Sequence, residues 1–202
     1  KLDFRLYIIA VMIMLQANSI AQSSHQLWLQ KQQPGAVEII LKKHSPLLTI
    51  AKGELEQGWQ GKTGTTCTLS LQKNKLIKGD GFILDSNSIK ANTELGILYG
   101  VYEMLRRQKT NTAINTFISN PSYERRILNH WDNLDGTVER GYAGLSIFWR
   151  NEKDSFIITE EDKKRWLEYA RADASIGING AVVNNVNASP KILDSKTLLK
   201  VK

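Results

Sequence analysis

Apolar and polar positions along the chain sort into short alternating runs and longer helical stripes. AVEIIL (36–41) is a β-branched run behind Pro34-Gly35 and predicts a strand. Thr68–Gln72 alternates in the same way, as does Gly81–Asp85, and Ser86-Asn87 joins the latter to Ser88–Ala91 as a hairpin. Leu95, Leu98, Tyr99, Tyr102 and Leu105 then recur at helical spacing. Asn92 or Thr93 caps that helix, Glu94 sits in its first turn, and Arg106-Arg107 close it near Gln108. The glycine-rich stretch 53–66, with Trp59 inside it, has little periodicity and predicts a loop. Strands covered by a helix predict a small α/β unit over 25–115.

The pattern changes after Lys109. Residues 111–121 are polar, end in proline and predict a connection between domains. Arg126–Trp131 reads as a strand, and Glu160–Ala174 as a helix with Thr159 as N-cap and Asp162 three positions on. Ile178–Val186 (INGAVVNNV) reads as a second strand, and Leu193-Asp194-Ser195 opens another helix. Strand, long loop, helix, strand, helix is the βα rhythm of a parallel sheet. That rhythm does not separate an open doubly wound sheet from a closed barrel.

Residues 1–24 carry a different signature. Lys1 and Arg5 precede the apolar run Leu6–Leu15, and Ser19-Ile20-Ala21 follows as a small-x-small site. This is the layout of a secretory signal peptide over 1–21, and it places the protein outside the cytoplasm, periplasmic or extracellular. The run is far below the roughly 20 residues a membrane span needs, so no membrane association is expected beyond the leader. A buried N-terminal strand or helix is the alternative. The chain starts with Lys1 and stops at LLKVK, which reads like the middle of an amphipathic helix, so a fragment of a longer protein is expected.

Composition narrows the classes further. With 202 residues and 42% hydrophobic content, the chain can bury a real core. Cys67 is the sole cysteine, which excludes an intrachain disulfide and suits a small buried hydrophobe. The net charge of +7 is spread over scattered lysine pairs, without the aromatic interleaving of a nucleic-acid groove, so no nucleic-acid partner is expected. His25, His44 and His130 make no metal-ligand spacing, and no metal or cofactor is expected.

The chemistry concentrates in RILNHWDNLDGTVERGYAGLSIFW (126–149) and NNVN (184–187). Trp131, Asp132 and Asn133 stand where one strand ends, and Asn184, Asn185, Val186 and Asn187 where the next one does. In a barrel that rim builds the active site. A flat indole suits a pyranose face, while amides and carboxylates read hydroxyls around its edge. The plainer readings are a tryptophan capping the core and asparagines capping turns. Asp135-Gly136 reads as a turn and His130 as a satisfied rim histidine. Glu139-Arg140 and Glu160-Glu161 read as ion-paired or solvated rather than as paired catalytic carboxylates.

HWDNLDGTVERGYAGLSIFW (130–149) and ARADASIGINGAVVNNVNA (170–188) resemble the opening of the catalytic barrel in microbial α-glucuronidases of glycoside hydrolase family 67. The stretch 81–107, containing TELGILYGVYEMLRR, resembles their N-terminal α/β domain, which β-hexosaminidase-type enzymes share more loosely. The resemblance implies a small N-terminal α/β helper domain followed, over 123–202, by the first two βα units of a truncated TIM (β/α)8 barrel. It implies an inverting hydrolase that removes 4-O-methyl-glucuronic acid, α-1,2-linked, from xylo-oligosaccharides during xylan degradation. Its catalytic carboxylates, and the cations that pair with the uronate, would fall beyond Lys202. No residue of this chain is therefore assigned as catalytic, and the fragment alone is expected to be inactive.

On that resemblance Trp131 packs on the uronic acid or its methyl group, and Asp132 and Asn133 shape the rim. Asn184, Asn185 and Asn187 support or contact the sugar, Val186 forms an apolar wall, and Arg140 orders the loop through an ion pair with Glu139 or Asp132. Leu145 stands where a basic residue is expected. Family members are often dimers, so a homodimer is compatible with the full-length protein. The alternatives are a hexosaminidase-like glycosidase and a non-catalytic truncated product.

Overall fold

The computed structural model describes residues 35–140, 144–149, 158–187 and 189–201. The expected export segment, 1–21, lies outside the described residues. Five strands, β1 (Val37–Leu41), β2 (Thr65–Leu71), β3 (Phe82–Asp85), β4 (Ser88–Ala91) and β5 (Phe117–Ser119), form one mixed sheet in the order β1-β2-β4-β3-β5. β1, β2 and β4 run parallel, with Ile39 opposite Cys67 and Leu69 opposite Ile89. β3 and β4 close the expected hairpin, and β5 adds to β3 antiparallel, with Ile118 opposite Ile83.

Two helices, α1 (Pro46–Gly58) and α2 (Glu94–Lys109), pack on this sheet and on each other. Burial alternates along β3 and β4, so each strand offers every second side chain to the helices. Leu48, Ala51 and Leu55 of α1 meet Cys67, Leu84, Ile89, Ile97, Val101 and Met104 in one buried cluster. Burial pushes the Cys67 thiol up to about 11, which leaves it an inert core residue. Gly96 and Gly100 let α2 approach closely. A Cβ on Gly96 would stand 2.6 Å from the Gly81 carbonyl oxygen, and one on Gly100 2.4 Å from Ile89 Cγ2.

Two expectations need correcting here. The glycine-rich stretch 53–66 is not all loop, because residues 53–58 are the last turns of α1. Ser45 caps that helix by accepting from the Leu48 N–H, Pro46 begins it, and Gly53 lies where a Cβ would meet little. The polar stretch 111–121 is likewise more than a connection, since it supplies the edge strand β5. The first sheet therefore reaches Ser119.

The second region is smaller. β6 (Ile127–Asn129) and β7 (Gly180–Val182) pair parallel, with Leu128 opposite Ala181, and α3 (Glu160–Ser175) lies between them in the chain. Both strands are shorter than their apolar runs. Thr159 and Asp162 form a reciprocal capping box at the start of α3, as the sequence predicts. A 3-10 turn (Pro190–Leu193) leads into α4 (Ser195–Val201).

Polar contacts join the two regions. Arg171 on α3 holds Glu54 on α1 through two hydrogen bonds of 2.5 and 2.8 Å. Arg126 pairs with Asp80 at 3.2 Å and donates to the Gly177 carbonyl, while the Tyr99 hydroxyl donates to the Ile178 carbonyl at 3.3 Å. The junction encloses a cavity of about 410 Å³, but its charged side chains are already paired, Asp80 with Arg126 and Glu103 with Arg106.

Candidate functional site

β6 and β7 end side by side, and their pairing continues past the strands. The His130 N–H donates to the Val182 carbonyl at 3.0 Å, and the Asn185 N–H to the Asp132 carbonyl at 2.7 Å. The two clusters singled out in the sequence thus emerge at one edge, with Asn185 Nδ2 3.4 Å from Asn133 Oδ1.

Asp132 organises the loop that leaves β6. The residue is only 3% exposed, and Oδ2 accepts a 2.5 Å hydrogen bond from the Ser146 hydroxyl. Ser146 Oγ in turn accepts from the N–H groups of Phe148 and Trp149, so this hydroxyl is fully used. The intervening loop is stitched by bonds from the Asn133 N–H to the Thr137 carbonyl and from the Glu139 N–H to the Trp131 carbonyl. Asp135-Gly136 is the expected turn. The Thr137 hydroxyl and N–H hold the Asp135 carboxyl below the usual range, and Gly136 takes a φ of 83° that favours glycine.

α3 supports the rim from behind. Tyr169 OH lies 2.6 Å from His130 Nε2, and the rings of His130, Phe148 and Tyr169 meet edge to face. Burial, and then the negative charge of Asp173, raise the Tyr169 hydroxyl. Burial also raises Asp173, against a partial opposing effect of its hydrogen bond from Tyr169. Arg165 and Trp166 both donate to the Ile147 carbonyl at 2.9 Å, and the Trp149 indole N–H donates to the Val183 carbonyl. His130 is thus a satisfied rim histidine.

In front of this scaffold is an open cavity of about 640 Å³, lined by the strand-end residues Asn129 to Asp132 and by Val138, Arg140, Leu145 and Ile147. Trp131 is 40% exposed there. Arg140 departs from expectation. Among the described residues it forms no ion pair with Glu139 or Asp132, and its guanidinium carbon stands 5.8 Å from the centre of the Trp131 ring. Leu145 is 73% exposed and is held by backbone pairing with Thr137 rather than by apolar burial. Asn133 and Asn184–Asn187 lie beside the cavity, outside its wall. Asn184 Nδ2 donates to the Asn185 carbonyl, Asn185 Oδ1 accepts from the Asn187 N–H, and Val186 is 77% exposed. Among the described residues, no group of three or more His, Cys, Asp or Glu side chains is placed to hold a metal ion, and no helix is long and apolar enough to cross a membrane.

Residues 104–202 match the glycosyl hydrolase family 67 middle domain. The probable alpha-glucuronidase A of Aspergillus clavatus is 41% identical over 127 residues, and the alpha-glucuronidase A of Aspergillus tubingensis 44% identical over 119. Over residues 104–202 the match is to glycoside hydrolase family 67. The two alignments cover 60% and 56% of this chain and 14% of each relative, so it spans a small part of their length. A solved GH138 enzyme targeting pectin rhamnogalacturonan II is similar over 81% of this chain and 22% of its own, at 12% identity and a TM-score of 0.47, too distant to bear on function.

Within this family 67 match, sequence reading located Trp131 and Asp132 but missed Ser146, Tyr169 and Arg165. Ser146 had a faint signal, as a small polar residue between Leu145 and the aromatic pair Phe148-Trp149. Tyr169 and Arg165 had none, since they look like ordinary polar-face residues of a charged helix.

Proposed function

We propose that the chain is the sugar-binding front of an exported α-glucuronidase acting in xylan degradation. The whole enzyme releases (4-O-methyl-)glucuronic acid, α-1,2-linked to xylo-oligosaccharides, with inversion. The N-terminal sheet is its helper domain, and β6–α3–β7–α4 are the first two βα units of a (β/α)8 barrel. The observation that carries this reading is the part-exposed Trp131 indole, which lines an open cavity at the shared end of two parallel strands. Alpha-glucuronidase is the name its relatives bear. An indole offers a broad apolar face at low entropic cost, which suits one side of a pyranose ring.

Inversion needs an acid and a base roughly 6.5–9.5 Å apart, across the sugar. Asp132 is the one carboxylate among the described residues that lines the cavity, and it is committed to Ser146. The 202-residue chain therefore binds the uronic sugar without cleaving it.

Titration of the chain with 4-O-methyl-glucuronosyl xylotriose, followed by calorimetry, tests the reading. Saturable binding is expected, weakened at least about tenfold in Trp131→Ala, with no uronic acid released. Equal binding by a folded Trp131→Ala variant, or hydrolysis by the chain alone, would overturn it.

A further inference from the structure

His130 stands between α3 and the rim loop, and its two ring nitrogens are used differently. Nε2 lies 2.6 Å from the Tyr169 hydroxyl, which also bonds the Asp173 carboxyl one turn further along α3. An ionised carboxylate only accepts, so the single phenolic proton goes to Asp173 and the tyrosine oxygen accepts from His130 Nε2–H. That order fixes the proton of the neutral imidazole on Nε2 and leaves Nδ1 an acceptor. Nδ1 faces Asp132 Oδ1 at 4.0 Å, while Ser146 takes the other oxygen, Oδ2. In the neutral ring two acceptors therefore face each other, with no hydrogen to join them.

Histidine ordinarily gains its second proton between about pH 5 and 8. On this ring the proton goes to Nδ1 and turns the facing acceptors into a charge-assisted N–H···O pair, shielded on one side by an Asp132 side chain that is 5% exposed. A positive ring also favours ionised Asp173, whose carboxyl burial otherwise raises. The remaining groups around the ring do not compete. Phe148 meets it edge to face, the α3 cation Arg165 is held by Asp162 and the Ile147 carbonyl, and Arg140 stands at the Trp131 ring. We propose that His130 is a pH-gated positioning residue, whose imidazolium form clamps Asp132, and with it the loop that leaves β6, to Tyr169 and Asp173 on α3. A chain Ser146–Asp132–His130–Tyr169–Asp173 then runs from loop to helix. Trp131 lies between two clamped residues, so its backbone is fixed with them. The clamp is present on the acid side of histidine's range and is lost as pH rises through it. It belongs to the rim itself and does not depend on what the cavity holds.

Amide-exchange protection factors of the full chain, at about pH 5.5 and about pH 8, read the clamp. The amides of Phe148 and Trp149, which donate to Ser146 Oγ, and of Asn185, which donates to the Asp132 carbonyl, report on it. They should be about fivefold better protected at the lower pH, the upper end for a partly exposed ion pair. Amides of the N-terminal sheet serve as the folding control and should not change. His130→Gln and Asp132→Asn should each remove the contrast, since one loses the titrating ring and the other the carboxylate. Tyr169→Phe keeps the aromatic packing, loses the acceptor for Nε2–H and should shrink the contrast. Nitrogen NMR of the imidazole adds a readout that a merely structural role would not move. At the higher pH His130 should carry its proton on Nε2, and Tyr169→Phe should erase that preference. Equal or weaker protection at the lower pH in the wild type, or an undiminished contrast in His130→Gln, would overturn the proposal. Should the variants fail to fold, the wild-type ring decides, and an Nδ1 proton without a hydrogen bond at the lower pH would overturn it as well.

Discussion

The two halves of the molecule are held by different physics. The N-terminal sheet and its helices share a continuous apolar cluster, in which Leu48, Leu55, Leu84, Ile89, Ile97 and Met104 are fully buried. Around β6 and β7 the fully or nearly buried side chains are mostly polar, Asp132, Ser146, Asn185 and Thr197, with Trp149 the main apolar exception. Ile127, Leu128 and Val182 of the paired strands remain exposed. Apolar burial is non-directional and tolerates small shifts, whereas the rim depends on hydrogen bonds that work at one geometry. The first half makes a stable platform, and the second makes a precisely shaped edge that draws stability from the platform.

The largest effects should break this comparison most visibly. Leu84→Ala, in the first core, is expected to cost about 2–5 kcal/mol and to unfold both halves. Ser146→Ala should cost about 1–3 kcal/mol by stranding the buried Asp132 carboxylate. Its effect should stay local, as faster amide exchange at Phe148 and Trp149 with the N-terminal amides unchanged. Limited proteolysis should cut after residue 123 first and leave the five-stranded unit intact. A protease-resistant C-terminal half, or global exchange in Ser146→Ala, would sink the contrast.

A smaller effect probes the seam. The Glu54–Arg171 pair is part-buried and doubly hydrogen-bonded, so a double-mutant cycle of Glu54→Ala and Arg171→Ala should show a coupling of about 1–2 kcal/mol. Strict additivity would mean that the platform does not hold the edge through this pair.

The smallest effect lies within α3, whose two ends respond to pH in opposite directions. Burial works against ionisation of Asp162, but bonds from Thr159 and Arg165 outweigh it and hold its pKa below the ordinary value. Its stabilisation is therefore present above the unfolded value near 4 and is lost as pH falls through the folded value. Asp173 is raised by burial, so its contribution runs the other way, and stability drops as pH rises from about 4 through its folded value. Asp162→Ala should cost about 1 kcal/mol at pH 7 and less at pH 3, while Asp173→Asn should stabilise at pH 7 and be neutral at pH 3. Urea denaturation at both pH values decides; parallel pH responses of the two variants would show that the assignment is wrong.

Features legible before the structure share a short range. The hairpin at Ser86-Asn87, the Thr93 cap of α2 and the capping box of Thr159 and Asp162 each need residues only a few positions apart. Strand extents were less legible, because ladder bonds form only where a partner exists. The apolar run 178–186 becomes a strand only over Gly180–Val182, where β6 lies alongside. β5 was hidden for the same reason, since FIS alone has no period, and β3 makes it a strand. In the site, the sequence shows that Trp131-Asp132-Asn133 and Asn184–Asn187 end successive strands, but not which of them would face the cavity.

The sequence by itself determined the elements, their caps, the βα rhythm and the concentration of aromatic and amide side chains at two strand ends. Those depend on local periodicity and on turn and capping chemistry. Only the tertiary structure decided that Asp132 turns to Ser146, that Tyr169 braces His130, and that Arg140 stands beside Trp131 without an ionic partner among the described residues. Each of these depends on where a distant stretch of chain comes to rest, and a charged side chain takes its partner from whatever the fold brings within a few ångströms.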